Sequence, residues 1–405
     1  MRQSELFIKT FKQDPKDEVF PGIKFLRRGG FVGKVGAGIY NYLPLGKRVL
    51  DKIEAIVRQG MKELGGVEIL MPALQPSENW KKTGRWDGLD ILYKIKSRAK
   101  QDFALGPTHE EIVVPLVKEF LSSYRDLPVY LYQIQTKFRD EPRARSGLVR
   151  AKEFIMKDLY SFHRDEKDMD DYYEKAGEVY KKIFTQIGLK TIQTKASGGT
   201  FSKFSDEFQA VSETGEDTVY FCKKCVLGIN KEIFEGKCLE CGDEKLDEFK
   251  TIEVGNIFKL KTKYSEAFDL KIKDADGSFK TVLMGCYGIG ISRAMGAVAE
   301  IFNDKNGLLW PEGIAPFKFH LLNLSKNAKR AEKIYRDLQN SNIEVLYDDR
   351  EEKSNGEKLV EADLLGLPYR LVTSDKLKEG EIELRKRGEK EVKIVLIEEL
   401  LSKNF

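Results

Sequence analysis

Lys137-Phe138-Arg139-Asp140-Glu141, followed by PRARSGLV and then Arg150-Ala151-Lys152-Glu153-Phe154, is a dense run of chemically capable side chains. Its flanks, YLYQIQTKFRDE and RAKEFIMKDLYSF, read as two antiparallel strands around a basic loop. Residues two apart on a strand share a face, so Arg139 points with Glu141 and Arg150 with Phe154. Two arginines, a carboxylate and an aromatic ring on one sheet face suit a nucleotide. The arginines take phosphate, the carboxylate an amine and the ring a base. A solvated hairpin laced with ion pairs is the alternative.

A second constellation is Gly285-Cys-Tyr-Gly-Ile-Gly-Ile-Ser-Arg293. Glycines at 285, 288 and 290 admit a ligand or a second backbone where a strand passes into a helix. Arg293 stands where a dinucleotide fingerprint needs its third glycine, and no GK[ST] is present, so neither that motif nor a P-loop fits. A cation in the first turn of a helix opposes the macrodipole, which makes Arg293 a poor structural choice unless an anion sits beside it. A third is Thr108-His109-Glu110-Glu111, opening the apolar run IVVPLVKEFL. Thr108 and Glu111 have capping-box spacing, which leaves Glu110 to be explained. With only three histidines (His109, His163, His320) no Ser/His/Asp or Cys/His arrangement is readable. Arginines, carboxylates and glycines suit the positioning and charge stabilisation of a phosphate reaction.

These groups need a scaffold, and 405 residues supply two to three domains' worth. From Leu45, the residues Val49, Ile53, Ile56, Val57, Met61 and Leu64 step by three and four, predicting an amphipathic helix closed by Gly65-Gly66. Val67–Met71 reads as a strand stopped by Pro72. After the linker WPEGIAP, strands FKFHLLNL, IEVLYD, YRLVTS and EIELRK alternate with helices AKRAEKIYRDLQ, EKLVEADLLG and VLIEELLSK, predicting a small α/β domain with a mixed sheet.

The net charge of +4, from 69 basic and 65 acidic residues, neither supports nor excludes nucleic acid. The most apolar stretch, Met284–Phe302, carries Arg293 and Glu300, and the N-terminus has no apolar signal region, so a cytosolic protein with no membrane partner is expected. Four of five cysteines form Cys222-x2-Cys225-x12-Cys238-x2-Cys241, the spacing of a small zinc ribbon. A metal-free remnant hairpin is the alternative, and redox use is disfavoured by the absence of a thioredoxin-like context.

Taken in order, these motifs resemble a class II aminoacyl-tRNA synthetase, and specifically a bacterial-type prolyl-tRNA synthetase. The resemblance runs from MRQSELFIKTFK through AGIYNYLPLGKRVL, FALGPTHEE, KFRDE…LVRAKEFIMKDLYSFH, SGGTFSKFSDEFQA, EVGNIFKLKTKYSEAF and MGCYGIGISR to WPEGIAPF and YDDREE…ADLLGLPYR. It implies an α+β fold: an antiparallel-sheet catalytic domain (1–312), interrupted by a small Cys-rich insert (217–250), and a C-terminal mixed α/β anticodon-binding domain (313–405). It implies a homodimer with Pro72 in the motif 1 interface. Arg139 would take the α-phosphate of ATP, Glu141 the adenine amine, Arg150 the phosphates, Phe154 the adenine face and Arg293 the γ-phosphate. Thr108 and Glu110 would bind the proline imino group, with Arg139, Gly199 and Cys286 in the proline pocket. Arg350 and Lys358 would contact the anticodon of tRNA(Pro), a solvated charged loop being the alternative. ATP and Mg2+ are implied, with structural Zn2+ at Cys222, Cys225, Cys238 and Cys241.

The departure is in the middle. Ordinary bacterial members carry a large editing domain between motifs 2 and 3, whereas 44 residues (209–252) separate Phe208 from Glu253. A trans-acting Ala-tRNA deacylase would then be a partner. A threonyl or glycyl enzyme and a non-catalytic RNA-binding paralogue are competing readings. GPTHEE and GCYGIG argue against the first, and retention of Arg139, Arg150 and Arg293 against the second.

Overall fold

The computed structural model describes residues 1–142 and 147–402. The chain falls into two compact units. One comprises Gly36–Ile39 and Ile53–Ala297, the other Met1–Val35, Tyr40–Lys52 and Val298–Phe405.

The predicted amphipathic helix spans Pro44–Glu63 (α1), and Leu45, Val49, Ile53, Val57 and Met61 are buried along it. Gly65 ends it at φ +75°, with the Gly66 amide returned to the Met61 carbonyl at 2.9 Å, a left-handed cap that glycine adopts without strain. The strand expected over Val67–Met71 is only Val67–Glu68 (β1), paired in parallel with Leu131 and Tyr132. Beyond it the backbone is held by side chains, the Met71 amide donating to Gln133 Oε1 at 3.0 Å.

Then come Glu110–Lys118 (α2), Val129–Phe138 (β2), Glu153–His163 (β3) and Glu166–Ile187 (α3), then Thr191–Ser197 (β4), Phe204–Val211 (β5), Asp217–Cys222 (β6) and Leu227–Asn230 (β7). Asp247–Lys261 (β8), Leu283–Gly290 (β9) and Ile291–Ile301 (α4) complete the set. The strands form one nine-stranded sheet in the order β5-β4-β7-β6-β8-β9-β3-β2-β1. It is antiparallel except at β1–β2 and β4–β7. β2 and β3 pair in register from Val129↔Phe162 to Phe138↔Glu153, the hairpin the sequence predicts, but Arg139, Glu141 and Arg150 lie beyond the strand ends, so the shared strand faces expected for them do not form. Part of the basic loop between the strands, residues 143–146, lies outside the described residues. The short insert is not a separate appendage. β6 pairs with β8 and β7 with β4, and an additional β5–β8 pairing closes a ring of five strands. Apolar side chains from α2, β3, β8 and β9, among them Val113, Val117, Tyr160, Phe162, Leu260 and Met284, form a buried core under the sheet.

In the other unit, Phe319–Asn323 (β10), Ala328–Asn340 (α5), Val345–Asp348 (β11), Asn355–Leu365 (α6), Tyr369–Thr373 (β12), Glu381–Lys386 (β13), Lys393–Leu396 (β14) and Ile397–Ser402 (α7) form an α/β layer. The sheet order is β11-β10-β12-β13-β14, parallel around β10 and antiparallel beyond β12, the mixed sheet expected. The helix expected over the terminal VLIEELLSK starts only at Ile397, because Val395 and Leu396 pair with β13. Among the described residues no helix is long and apolar enough to cross a membrane.

Candidate active site

The sheet brings the scattered motifs to one cavity of about 150 Å3, lined among others by Thr108, Arg139, Phe154, Glu253, Cys286 and Arg293. Register explains the convergence. On β3, Phe154, Met156, Asp158 and Tyr160 alternate onto one face, and β9 sets Gly288 opposite Asp158 and Cys286 opposite Tyr160. A Cβ on Gly288 would lie 2.4 Å from Met156 Cε, so a larger residue there would displace the end of the Met156 side chain from this wall.

Arg139 follows the end of β2, anchored by its amide to the Lys152 carbonyl at 2.8 Å, with its guanidinium 5.1 Å from the centre of the Phe154 ring. Its Nε is buried without a hydrogen-bond partner. Burial, and then the charge of Arg293, push the Arg139 pKa down. Arg293, in the first turn of α4, donates to Glu253 Oε2 at 2.7 Å and to the Glu253 carbonyl at 3.2 Å. Burial, the largest single influence, works against its charge, but Glu253, Glu216 and Asp217 together hold its pKa above the ordinary value. The macrodipole conflict anticipated for Arg293 is therefore met by a carboxylate from β8. A smaller adjoining cleft is lined by Arg139, Glu141, Arg150, Phe154 and Arg293. There Arg150 Nε donates to Glu141 Oε2 at 3.0 Å, and Arg150 reaches Glu216 at 3.4 Å.

Behind Thr108 the structure corrects a local reading. The capping-box spacing yields no cap: α2 starts at Glu110, and its N-cap residue, His109, makes no side-chain cap bond. Thr108 Oγ1 instead donates to Glu110 Oε2 at 2.6 Å, and Glu111 is taken by Arg85 at 3.0 Å and by the Thr83 hydroxyl at 2.8 Å. A buried carboxylate gains more from a guanidinium than from one backbone amide. Glu110 also accepts from Cys286 Sγ at 3.3 Å and from Arg85 at 3.4 Å. Burial, and then Glu110, raise the Cys286 pKa well above the thiol range, so this cysteine is a neutral donor.

Sequence reasoning missed the support beneath these residues. Asp158 forms an ion pair with Lys137 at 2.7 Å and accepts from Gln133 at 3.0 Å and from the Tyr160 hydroxyl at 3.0 Å. The Tyr160 oxygen in turn accepts the His109 amide at 2.9 Å. His109 Nε2 donates to the Pro72 carbonyl at 3.1 Å, leaving Nδ1 to accept from Lys137 at 2.9 Å. Burial and Lys137 lower the His109 pKa to about 4, in keeping with a neutral ring. The available signal was Lys137 and Asp158 themselves, charges on inward positions of two apolar strands. Glu253 opens the EVGNIF segment of the resemblance, but no role was assigned to it or to Arg85.

Other expected site residues lie apart. Gly199 sits in the β4–β5 connection at φ +54° and is not among the cavity-lining residues. Pro72 is exposed. In the other unit, Arg350 is held by Asp348 at 2.7 Å and Glu361 at 2.8 Å, while Lys358 is only 4% exposed and donates to the Asn323 carbonyl at 3.0 Å. Lys358 therefore presents no free charge, either for the expected anticodon contact or for the alternative of a solvated loop, because α6 turns that side chain inward. The four insert cysteines do come together, with every pair of sulfur atoms within 4.8 Å.

Residues 93–302 match a family model described as tRNA synthetase class II core domain (G, H, P, S and T), and residues 314–403 one described as anticodon binding domain. The proline–tRNA ligase of Anaplasma phagocytophilum (strain HZ) is 40% identical over 427 residues, covering 100% of this chain and 99% of that protein. That of Wolbachia sp. subsp. Drosophila simulans (strain wRi) is 38% identical over 421 residues, covering 99% of each. The chain belongs to the prolyl-tRNA synthetase family. Another prolyl-tRNA synthetase relative, from Thermotoga neapolitana, is 36% identical over 563 aligned residues, covering 100% of this chain and 97% of that protein. Because 563 exceeds the 405 residues here, that relative carries segments with no counterpart in this chain.

Among solved structures, a prolyl-tRNA synthetase of Cryptosporidium parvum, complexed with L-proline and AMP, superposes with a TM-score of 0.78 at 15% identity, covering 97% of this chain and 76% of that one. That of Giardia lamblia, in complex with prolyl-adenylate, gives 0.78 at 20% identity, covering 93% and 75%. At these identities the likeness speaks to the fold.

Proposed function

We propose that this chain is a proline–tRNA ligase that activates proline with ATP and transfers the prolyl group to tRNA(Pro), without an editing domain of its own. The observation that carries the reading is the single cavity shared by Arg139, Arg293, Thr108 and Cys286, in a chain aligned end to end with proline–tRNA ligases. Arg139 and Arg293 supply two fixed positive charges for a polyphosphate. Phe154 offers a face for adenine and Glu141 an acceptor for its amine. Glu110, braced by Thr108 and Cys286, pairs with the charged imino nitrogen of proline.

The first step needs no general base. The proline carboxylate, already anionic near neutrality, attacks the α-phosphorus of ATP, and pyrophosphate leaves with the charge that Arg139 and Arg293 stabilise. A ribose hydroxyl of the tRNA end then attacks the mixed anhydride and releases AMP. Glu253, a carboxylate on the cavity wall, is a suitable oxygen donor for Mg2+, which when bound would neutralise phosphate charge.

The four cysteines suit a structural Zn2+. A tetrahedral centre with Zn–S near 2.3 Å has sulfur–sulfur edges of about 3.8 Å. Here Cys222–Cys241 and Cys225–Cys238 stand at 3.7 and 3.9 Å. We assign residues 1–312 to catalysis and 313–405 to the anticodon, with Arg350 near the RNA and Lys358, buried on the Asn323 carbonyl, supporting the domain from within. A homodimer is supported by Val67, Leu70 and Leu74, all exposed around Pro72. Cytoplasmic location and a separate Ala-tRNA deacylase complete the reading.

ATP–pyrophosphate exchange with a panel of amino acids tests it. Proline-dependent exchange is expected. Exchange driven by threonine or glycine, or none at all, overturns it in favour of another synthetase or a non-catalytic paralogue.

A further inference from the structure

The insert holds the cysteine cluster at one end and touches the nucleotide-facing arginines at the other. Cys222 is the last residue of β6, and Cys238 and Cys241 lie in the segment that leads into β8. β6 and β8 pair from Phe221↔Asp247 to Asp217↔Thr251. At the far end of that ladder, Glu216 immediately precedes Asp217 and stands 3.4 Å from Arg150, and Glu253 follows two residues after Thr251 and holds Arg293 at 2.7 Å. Asp217 is tied into the same region, accepting from Gln209 at 3.0 Å, and Gln209 also donates to Glu207 at 2.8 Å. Six residues of strand, about 20 Å, separate the two ends.

We propose that the four-cysteine centre is a zinc clamp that sets the register of β6 on β8, and through it the placement of Glu216 against Arg150, so that metal occupancy tunes ATP binding. The inference rests on the ligase reading only for the identity of the nucleotide.

The physical ground is register. The side-chain period of a strand is two, so a slip of one residue turns every side chain to the opposite face. The β6–β7 hairpin is held to the rest of the sheet by five pairs with β8 and two between β7 and β4. The small apolar cluster beneath it is built around Cys222, Ile229 and Cys238, two of which are thiols, with Ile233, Phe234 and Leu246 packed against them. Joining Cys222 and Cys225 of one turn to Cys238 and Cys241 of the other fixes the two strands at that end. Arg150 is where the setting is read, because its side chain is 42% exposed and is held between Glu141 and Glu216.

The test uses the full-length protein as purified. Elemental analysis should give about one zinc per chain, falling to none in Cys238→Ser/Cys241→Ser. Calorimetric titration should show ATP binding weakened about threefold in Glu216→Gln, the scale of one exposed ion pair. It should be weakened at least as much in the double-cysteine variant, with proline binding unchanged in both. Adding Glu216→Gln to the double-cysteine variant should weaken ATP no further, since the contact is already lost.

Zinc absent from the wild type overturns the metal centre. Zinc present, with ATP affinity unmoved in Glu216→Gln, overturns the coupling and leaves the metal standing. Should the double-cysteine variant fail to fold, wild-type protein stripped of zinc by a chelator takes its place, and ATP affinity unmoved by loss of the metal in either form overturns the coupling. None of these binding readouts depends on turnover. Zinc-dependent ATP binding in a protein inactive with proline would count against the ligase reading alone.

Discussion

Arg139 and Arg293 line one cavity from different elements, and the charge of Arg293 helps to depress the pKa of Arg139. Two like charges in one cavity cost stability. Arg139 is the more exposed to that cost, since its Nε is buried without a partner whereas Arg293 has Glu253. An anion between them relieves the repulsion. Arg139→Ala and Arg293→Ala should each leave the protein folded and lower proline-dependent pyrophosphate exchange by about 10²–10³, the usual effect of removing one preorganised charge contact. Near-wild-type exchange by either variant removes that residue from the mechanism.

Glu110 is buried where Thr108, Cys286 and Arg85 all donate to it. Glu110→Gln keeps the shape and removes the charge. The proline KM should rise about ten- to a hundredfold, the scale of a charge-assisted hydrogen bond, with little change in the ATP KM. Equal increases in both would mean that Glu110 braces the helix start and does not read the amino acid.

Lys157 gives a pH signature. It is fully buried, donates to the Tyr287 carbonyl at 2.9 Å and to the Tyr180 hydroxyl, and burial lowers its pKa to about 7. Between pH 7 and the ordinary lysine range the unfolded chain holds the proton and the folded chain does not. Stability should therefore rise with pH across that window, by up to about 1.4 kcal/mol per pH unit for one proton. Denaturant melts of Lys157→Met between pH 7 and 10 should lack that rise. An unchanged slope would place the titration elsewhere.

The chain lacks the length for a hydrolytic second domain between β5 and β8, and a pocket shaped for proline admits alanine. Discrimination by missing methylenes is worth only about 1–3 kcal/mol each. The protein should activate alanine detectably and leave preformed Ala-tRNA(Pro) intact. Deacylation above the buffer rate would reveal an editing site on this chain.

Much of this was legible in the sequence because it is local. The β2–β3 hairpin follows from alternation over two short runs, α1 and its glycine cap from a three-to-four spacing, and the C-terminal α/β layer from the order of its elements. The cysteine cluster follows from paired CxxC turns, whose spacing already suits four sulfurs around one point. Arg293, against the helix dipole, and Glu110, left over from the apparent cap, were identifiable as residues that packing alone does not explain.

What the sequence did not contain was long-range register. Only the pairing of β3 with β9, 130 residues apart in Lys157 and Tyr287, puts Cys286 against Glu110 and Gly288 against Asp158. Only the sheet pairing that ends at Asp217 and Thr251 carries Glu216, at the edge of the insert, to Arg150. The same holds for Lys358, exposed by its composition yet buried because its turn of α6 faces inward, and for Glu111, drawn from a cap to Arg85. Local propensity sets which element forms. Which buried charge meets which depends on how strands far apart in the chain align, and that is decided by burial summed over the whole sheet.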